Sequence, residues 1–280
     1  MRIFIILYTI WAVFCFVLLF LLLFPFFWVF LQKETWKPQA HYLNRLWAKT
    51  LFFLIGIPVK VQYEFKPERN KAYVFCANHF SYMDIAVMGL IIRNYFAFLG
   101  KASLKNVPLF GYLFKKLHIM VDRNDSGSRA KSLGRSIRAL QSGRSIMIFP
   151  EGGIKSKNIP QMHLPLKDGA FIMAIQQQVP LVPISFLNNY KIQHDDEFLI
   201  YPQAVRAIIH KPIETAGMTQ ADVGILKNKF LEIVQKSVND FARKNFEGGG
   251  HKNAAGGRSS EGLEATVKKF KEVITLVQQV

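Results

Sequence analysis

His79 and Asp84, in the segment Asn78-His79-Phe80-Ser81-Tyr82-Met83-Asp84, are the two residues of this chain whose types and spacing best suit acid–base chemistry. On one straight helix, five residues turn the chain through about 500°, which points the two side chains apart. They can meet if His79 lies in a turn after the apolar run 72–77 and Asp84 lies in the first turn of the following helix. Asp84 would then bind one ring nitrogen of His79 and leave the other free as a general base.

The same segment is also compatible with a purely structural role. Ser81 and Asp84 are spaced as in a capping box, in which the aspartate would only accept hydrogen bonds from helix amides. If the pair is catalytic, no nearby serine or cysteine stands out as its nucleophile. We therefore expect the base to act on a hydroxyl group of the substrate, with direct transfer and no covalent enzyme intermediate.

A second block, Phe149-Pro150-Glu151-Gly152, follows the apolar run 145–148. Together, the N-H-x4-D pattern at 78–84 and F-P-E-G at 149–152 resemble the motifs of the glycerolipid acyltransferase family. Three further segments fit this resemblance in the expected order, namely the lysine-led stretch 101–111, the triplet Val121-Asp122-Arg123 and the stretch 179–184. The resemblance covers roughly residues 78–185. Each block alone is a weak signal, but the ordered set is specific.

The resemblance implies roles for particular residues. His79 and Asp84 would be catalytic and would act on an acyl thioester, carried by coenzyme A or by acyl carrier protein as co-substrate, without a metal or another cofactor. Substrate binding would fall to Asn78, Lys101, Arg123, Glu151, Gly152, Gly153 and Lys155. Lys101 and Arg123 suit an acceptor phosphate. Glu151 would orient the acceptor or a basic neighbour, or else cap its loop; the two glycines would admit a ligand, or else form a plain turn.

One departure from the family pattern concerns the acceptor. The family usually continues F-P-E-G with Thr-Arg-Ser, whereas this chain continues with Gly153-Ile154-Lys155-Ser156-Lys157. Lysine supplies a point charge without the bidentate fork of the missing arginine. The expected reaction is acyl transfer to the free hydroxyl of 1-acyl-glycerol-3-phosphate, giving phosphatidic acid. The alternatives are the same chemistry on another lysophospholipid or lipid hydroxyl, or a non-catalytic basic membrane adaptor.

The net charge of +17 is compatible with binding to nucleic acid or to an anionic membrane surface. Residues 3–31 carry no charge, and as a helix they would be about 43 Å long, against roughly 30 Å of bilayer hydrocarbon. This run favours membrane lipids, and not nucleic acid, as partners. Whether it spans the membrane or lies in one leaflet is open. Cys15 and Cys76 offer no disulfide framework, which suits a reducing compartment, so we expect the catalytic domain to face the cytoplasm.

Beyond residue 57, apolar runs alternate with helical patterns, which predicts a mostly parallel mixed α/β sheet flanked by helices. The predicted strands are 59–63, 73–77, 97–99, 119–121, 145–149, 181–186, 198–201 and 206–209. The predicted helices are 82–93, 109–116, 128–142, 167–177 and 220–245. We expect membrane-anchoring helices at 1–57, with an amphipathic second helix that either lies at the interface or packs on the domain. A catalytic domain at 58–246, a flexible linker at 247–261 and a C-terminal amphipathic helix at 262–280 would follow.

Overall fold

The alternating pattern forms strands and helices near most of the predicted positions, with a short unpredicted helix at Asn189–Ile192 and no strand at 198–201. The computed structural model describes residues 2–193 and 198–245. The elements are α1 (Arg2–Phe30), α2 (Lys37–Leu54), β1 (Val59–Tyr63), β2 (Val74–Ala77), α3 (Met83–Ile91), β3 (Phe96–Lys101), α4 (Phe110–Leu117), β4 (Ile119–Val121), α5 (Ser126–Gln141), β5 (Ser145–Ile148), α6 (Gly169–Gln176), β6 (Leu181–Phe186), α7 (Asn189–Ile192), β7 (Val205–Ile209) and α8 (Val223–Asn245).

The chain divides after Asn239 into a large unit, described below, and a second unit from Asp240 that begins within α8. The predicted linker at 247–261 and the predicted helix at 262–280 lie outside the described residues. The division between anchoring helices and catalytic domain near residue 57 stays a prediction.

The strands form one seven-stranded sheet in the order β1-β7-β6-β2-β5-β3-β4. All neighbouring strands are parallel except β6 and β7. In the centre, Val74 of β2 pairs with Ile146 of β5 on one side and with Leu181 of β6 on the other. The mostly parallel mixed sheet predicted from the sequence is therefore confirmed.

The three central strands are buried along their whole length, whereas β1 at one edge alternates between exposed and half-buried positions. Strands covered by helices on both faces need near-continuous apolar sequence, which is why these runs were recognisable. Because β2, β4 and β5 run parallel, the segments that follow them emerge at the same edge of the sheet. Those segments carry His79, Arg123 and Glu151.

One predicted strand, residues 198–201, is wrong. Ile200 makes a single isolated antiparallel bridge with Gln193 and belongs to none of the strands described. Its backbone N–H donates to the hydroxyl of Thr9 in α1 at 3.0 Å instead. Phe198 and Ile200 line a cavity. The apolar residues are thus explained by packing against α1 and not by sheet pairing.

The first two helices pack on each other and on the rest of the large unit. Within the described residues, α1 is the one helix long and apolar enough to cross a membrane, judged by length and composition. Ala12 and Cys15 of α1 belong to the same core cluster as the central strands. Many large apolar side chains of α1 nevertheless remain exposed, and α2 exposes 82% of Phe53 and 70% of Tyr42. The second helix therefore packs on the domain with one face and presents apolar surface on another.

Candidate active site

The turn between β2 and α3 brings the predicted dyad together. The Nδ1 atom of His79 lies 3.0 Å from Oδ2 of Asp84, which is the second residue of α3. The Asp84 side chain is fully buried, while the His79 side chain keeps 10% of its surface exposed. The geometric prediction is confirmed, and the catalytic roles of both residues stay predictions.

The Asp84 carboxylate also accepts three other hydrogen bonds. Its Oδ2 accepts the backbone N–H groups of Phe80 at 2.9 Å and of Ser81 at 3.0 Å. Its Oδ1 accepts from Nδ2 of Asn189 at 2.7 Å. The capping role and the dyad role of Asp84 are therefore compatible. One carboxylate accepts the backbone N–H groups of the turn and also orients the imidazole of His79.

The remaining nitrogen of His79, Nε2, is available for chemistry. The ring stacks on Phe149, with 4.0 Å between ring centroids and 14° between planes. Among residues 2–193 and 198–245, no protein group forms a hydrogen bond with Nε2. A ring fixed by Asp84 on one edge and by Phe149 on one face presents its last nitrogen in a single orientation, as a general base requires.

Glu151 connects the two motif segments through backbone amides. One carboxylate oxygen accepts the N–H of His79 at 2.6 Å and the other accepts the N–H of His163 at 2.8 Å. Burial raises the pKa of Glu151 to about 7, helped by the nearby charge of Asp84, while these two N–H groups lower it. The carboxyl group thus holds the loops around the dyad, which favours the loop-capping role that the sequence left open.

A basic cluster lies beside Glu151. Arg123 donates a hydrogen bond from Nη1 to the backbone oxygen of Gly152. A Cβ atom added at Gly153 would lie 3.3 Å from that Nη1 atom and 3.6 Å from Cε of Lys155. Gly152 and Gly153 have backbone φ angles of 76° and 145°, which residues with a side chain rarely adopt. Partial burial lowers the pKa of Arg123 from its usual value, and the group stays cationic near neutral pH.

Lys101 and Asn78 occupy different surroundings. Lys101 is exposed at the end of β3, in register with Val121, two residues before Arg123. Among the described residues, no hydrogen bond or ion pair joins it to the basic cluster. The fully buried amide of Asn78 donates to the backbone oxygen of Phe186 at 2.9 Å and accepts its N–H at 2.8 Å. Asn78 therefore joins the ends of β2 and β6, a geometry that does not favour its predicted role in substrate binding.

An apolar cavity of about 460 Å³ lies beside the start of α3. Its wall includes Tyr82 and Met83, which directly precede Asp84 in the chain. The rest of the lining comes mainly from α1, α2, α3, β3 and α4, and includes Ala12, Phe16, Trp47, Gly89, Phe98 and Leu113. A cavity of this size and apolar lining can accommodate a hydrocarbon chain.

A second histidine cluster shares no hydrogen bond with the dyad among the described residues. The ring of His210 bonds the hydroxyl of Ser185 at 2.8 Å through Nε2 and the carboxylate of Glu64 at 3.2 Å through Nδ1. Ser185 is fully buried, so no substrate reaches its hydroxyl. The cluster joins the ends of β1 and β7 to β6 and has a structural role. Over residues 2–193 and 198–245, no group of three or more His, Cys, Asp or Glu residues is arranged to hold a metal ion.

The sequence reasoning missed Asn189 and the apolar cavity. Asn189 is separated from Asp84 by 105 residues, and nothing in its local sequence pairs it with the motif. The cavity walls come from five separate elements, so no single periodic pattern indicates them.

Comparison with known proteins agrees with this geometry. Residues 58–187 match the family model described as Acyltransferase. The chain is 30% identical over 175 residues to a chloroplastic 1-acyl-sn-glycerol-3-phosphate acyltransferase of Brassica napus, covering 62% of this chain and 50% of that protein. It is 29% identical over 199 residues to the 1-acyl-sn-glycerol-3-phosphate acyltransferase of Saccharomyces cerevisiae, and the match covers 70% of this chain and 63% of that protein. The chain thus spans about half to two thirds of the length of these curated relatives.

The fold is similar to a solved structure as well. The crystal structure of the 1-acyl-sn-glycerophosphate acyltransferase PlsC from Thermotoga maritima matches with a TM-score of 0.68, covering 85% of this chain and 96% of that one. At 20% sequence identity this match establishes a shared fold. The family match, the ordered motifs and the shared fold together show that residues 58–187 form an acyltransferase domain, and the chain is similar to 1-acyl-sn-glycerol-3-phosphate acyltransferases.

Proposed function

We propose that the protein is a membrane-bound O-acyltransferase that moves an acyl chain from a thioester to the free hydroxyl of 1-acyl-glycerol-3-phosphate, giving phosphatidic acid. The observation that carries the proposal is the His79–Asp84 pair, whose ring nitrogen Nε2 has no protein partner among the described residues. Tyr82 and Met83, which directly precede Asp84, line an apolar cavity. The names of the relatives support the same acceptor.

In this mechanism, Nε2 of His79 takes the proton of the acceptor hydroxyl while that oxygen attacks the thioester carbonyl carbon. Asp84 accepts the Nδ1–H bond, fixes the tautomer and stabilises the imidazolium that forms. The tetrahedral adduct then collapses, the carbon–sulfur bond breaks, and the imidazolium returns its proton to the departing thiolate. The products are the ester and the free thiol of coenzyme A or acyl carrier protein.

The acyl chain of the donor would occupy the cavity between α1, α2, α3 and α4. Each buried methylene group contributes about 0.8 kcal/mol, so a long chain gains substantial binding energy there. Water is excluded from most of such a pocket, which protects the thioester from hydrolysis. The cavity therefore supports an acyl substrate over a small polar one.

The acceptor phosphate would bind at the basic cluster of Arg123 and Lys155, with Lys101 at its margin. Gly153 supports this role, because its lack of a side chain leaves space between those two cations. Arg123 already donates to the Gly152 carbonyl, so one N–H group of its guanidinium is bonded within the protein and the others remain for a phosphate. Ile154 occupies the place of the missing family arginine, and Lys155, the next residue, would supply charge without bidentate geometry.

The packing of α1 supports attachment to one leaflet. Near its start, the Tyr8 hydroxyl donates to the Ile55 carbonyl at 2.5 Å, and Thr9 accepts from Ile200. Beyond its end, the Gln32 side chain bonds the Tyr112 hydroxyl of α4 at 3.1 Å. A helix held to the domain along its length cannot cross the bilayer while the domain stays in water. We therefore propose that α1 lies in the membrane plane, with the catalytic domain on the cytoplasmic side.

The full-length protein in lipid vesicles, supplied with acyl-CoA or acyl carrier protein thioester, is expected to convert 1-acyl-glycerol-3-phosphate to phosphatidic acid. A panel of other lysophospholipids and of phosphate-free monoacylglycerol serves as the comparison, with product measured by mass spectrometry. The basic cluster predicts the highest kcat/KM for the acceptor with a phosphate monoester. Exclusive turnover of another lysolipid would reassign the acceptor, and no acyl transfer with any pair would favour the non-catalytic adaptor.

Membrane-impermeant maleimide is expected to label Arg2→Cys and Lys157→Cys from the same side of sealed vesicles, because in-plane α1 leaves both ends with the domain. The test uses a background in which Cys15 and Cys76, both buried, are replaced. Inverted vesicles should react at both positions if the domain faces the cytoplasm. Labelling of the two positions from opposite sides would contradict the in-plane helix and support a spanning one.

A further inference from the structure

The Asp84 carboxylate is held asymmetrically. Its Oδ2 atom receives three contacts, from the His79 ring and from two backbone N–H groups. Among the described residues, its Oδ1 atom receives one hydrogen bond, from Nδ2 of Asn189 at 2.7 Å. Asp84 is fully buried and Asn189 is 1% exposed, so water does not readily replace that bond.

Loss of this donor would change the environment of the dyad. A buried carboxylate oxygen without a hydrogen bond is costly, and the anion responds by rotating or by gaining a proton. Rotation about the Cβ–Cγ bond would move Oδ2 away from the imidazole. Protonation would remove the charge that stabilises the imidazolium. Both changes reduce the fraction of His79 that has its proton on Nδ1 and a free lone pair on Nε2.

Asn189 is itself held rigidly. It begins α7 immediately after Asn188, whose side chain donates to the Ala204 carbonyl at 2.8 Å and accepts the Arg206 N–H at 2.9 Å. Upstream, Phe186 at the end of β6 is paired with the amide of Asn78. The amide of Asn189 presents its NH₂ group to Asp84 although its own buried Oδ1 atom has no partner within residues 2–193 and 198–245. The opposite orientation would bring two acceptors together.

We propose that Asn189 is a positioning residue of the catalytic dyad, which donates to Oδ1 of Asp84 so that the carboxylate stays aligned with Nδ1 of His79. The role rests on the proposed function of His79 as general base. Asn189 does not touch the substrate in this scheme, and its effect passes entirely through Asp84. It extends the dyad to a chain of three buried side chains drawn from the β2–α3 and β6–α7 connections.

The neighbouring Asn188 provides a matched control. It has the same side chain, is also buried, and makes two hydrogen bonds, but both go to backbone groups of the segment leading into β7. Replacement of either asparagine by leucine removes a buried amide of similar size. A purely structural role for Asn189 predicts the same consequences for both variants, whereas a positioning role predicts a catalytic difference between them.

Asn189→Leu is expected to lower kcat by about 10- to 100-fold, less than loss of the base itself, with little change in either KM. Asn188→Leu should lower thermal stability without a comparable loss of kcat in the folded fraction.

Asn189→Asp gives a more specific result. Two carboxyl groups at this distance share one proton, and the protonated partner can still donate to Asp84. We expect Asn189→Asp to retain activity at low pH and to lose it as rising pH removes that proton.

The charged groups near Asp84 are His79 and Glu151, and both are present in every variant, so pH profiles are compared with that of the wild type. The descending alkaline limb should appear in Asn189→Asp and not in Asn188→Asp. Parallel profiles for wild type and Asn189→Asp, or equal kcat losses for the two leucine variants, would overturn the proposal.

A readout that is independent of turnover separates this proposal from the proposed function. The ¹⁵N chemical shifts of the His79 ring report which nitrogen carries the proton. Asn189→Leu should move population from the Nδ1–H to the Nε2–H tautomer, and Asn188→Leu should not. That result without any acyl transfer would support the role of Asn189 and refute the enzyme assignment. An unchanged tautomer in an active enzyme would refute the role of Asn189 and support the enzyme assignment.

Discussion

Replacement of His79 by alanine is expected to lower kcat for acyl transfer by about 10²–10⁴-fold, the usual contribution of a positioned general base. The protein should remain folded, because Asp84 keeps its bonds to Phe80, Ser81 and Asn189 without the imidazole. Binding of the donor should also persist, since His79 is not among the residues that line the cavity. The measurement is steady-state kinetics on protein whose folding is checked by circular dichroism.

Three further variants make the result specific to the dyad. Asp84→Asn should also lose most activity, and the double variant with His79→Ala should be no worse than His79→Ala alone, because residues that act as a unit are not additive. His210→Gln is the control, since that histidine bonds Ser185 and Glu64 and not the dyad. It should lower the melting temperature while kcat of the folded enzyme stays within a few-fold. Activity of His79→Ala within about tenfold of wild type would contradict the mechanism.

The dyad could be anticipated from sequence because its geometry is local. A strand followed by a turn and a helix fixes the direction of the chain over the short segment from His79 to Asp84, and the apolar run before it is long enough to mark a buried strand. The proximity of Arg123 and Glu151 could be predicted from β4 and β5, because the loops that follow parallel strands lie at the same edge of the sheet.

Features that depend on distant packing could not be read in this way. Residues 198–201 have the composition of a strand, yet their backbone bonds go partly to Thr9 of α1, nearly two hundred residues earlier. Asn189 is joined to Asp84 only through the ordering of β6 next to β2 in the sheet. Neither contact produces a periodic or compositional pattern in the sequence, because each depends on how distant elements are arranged in the fold.

The N-terminal helix illustrates the same limit. Its composition indicates contact with lipid, but composition is the same for a spanning helix and for one lying in a leaflet. The proposed in-plane placement rests on contacts at opposite ends of α1, made by Tyr8 with Ile55 and by Phe24 with Tyr112, whose ring centroids are 6.4 Å apart. Because α1 also lines the cavity, it would link the proposed membrane attachment to the proposed site of the acyl chain.

Gly89→Phe is expected to shift the donor preference from long to short acyl chains. Gly89 lies in α3 and lines the cavity, and a Cβ atom placed there has no heavy atom within 4 Å. The aromatic side chain would therefore enter the cavity without a backbone clash and displace part of the hydrocarbon. Displacement of about four methylene groups removes roughly 3 kcal/mol of binding, equivalent to a loss of about two orders of magnitude in kcat/KM.

The comparison is between palmitoyl and octanoyl thioesters on the same preparation. Palmitoyl transfer should fall steeply in Gly89→Phe, while octanoyl transfer, whose chain leaves room for the ring, should remain near the wild-type value. Gly224→Phe is the matched control, because Gly224 is exposed near the start of α8, has equal space around its Cβ position and does not line the cavity. Equal losses for both thioesters would indicate a damaged fold. An unchanged preference in folded Gly89→Phe would mean that the acyl chain binds elsewhere, and the cavity would then no longer support the proposed donor site.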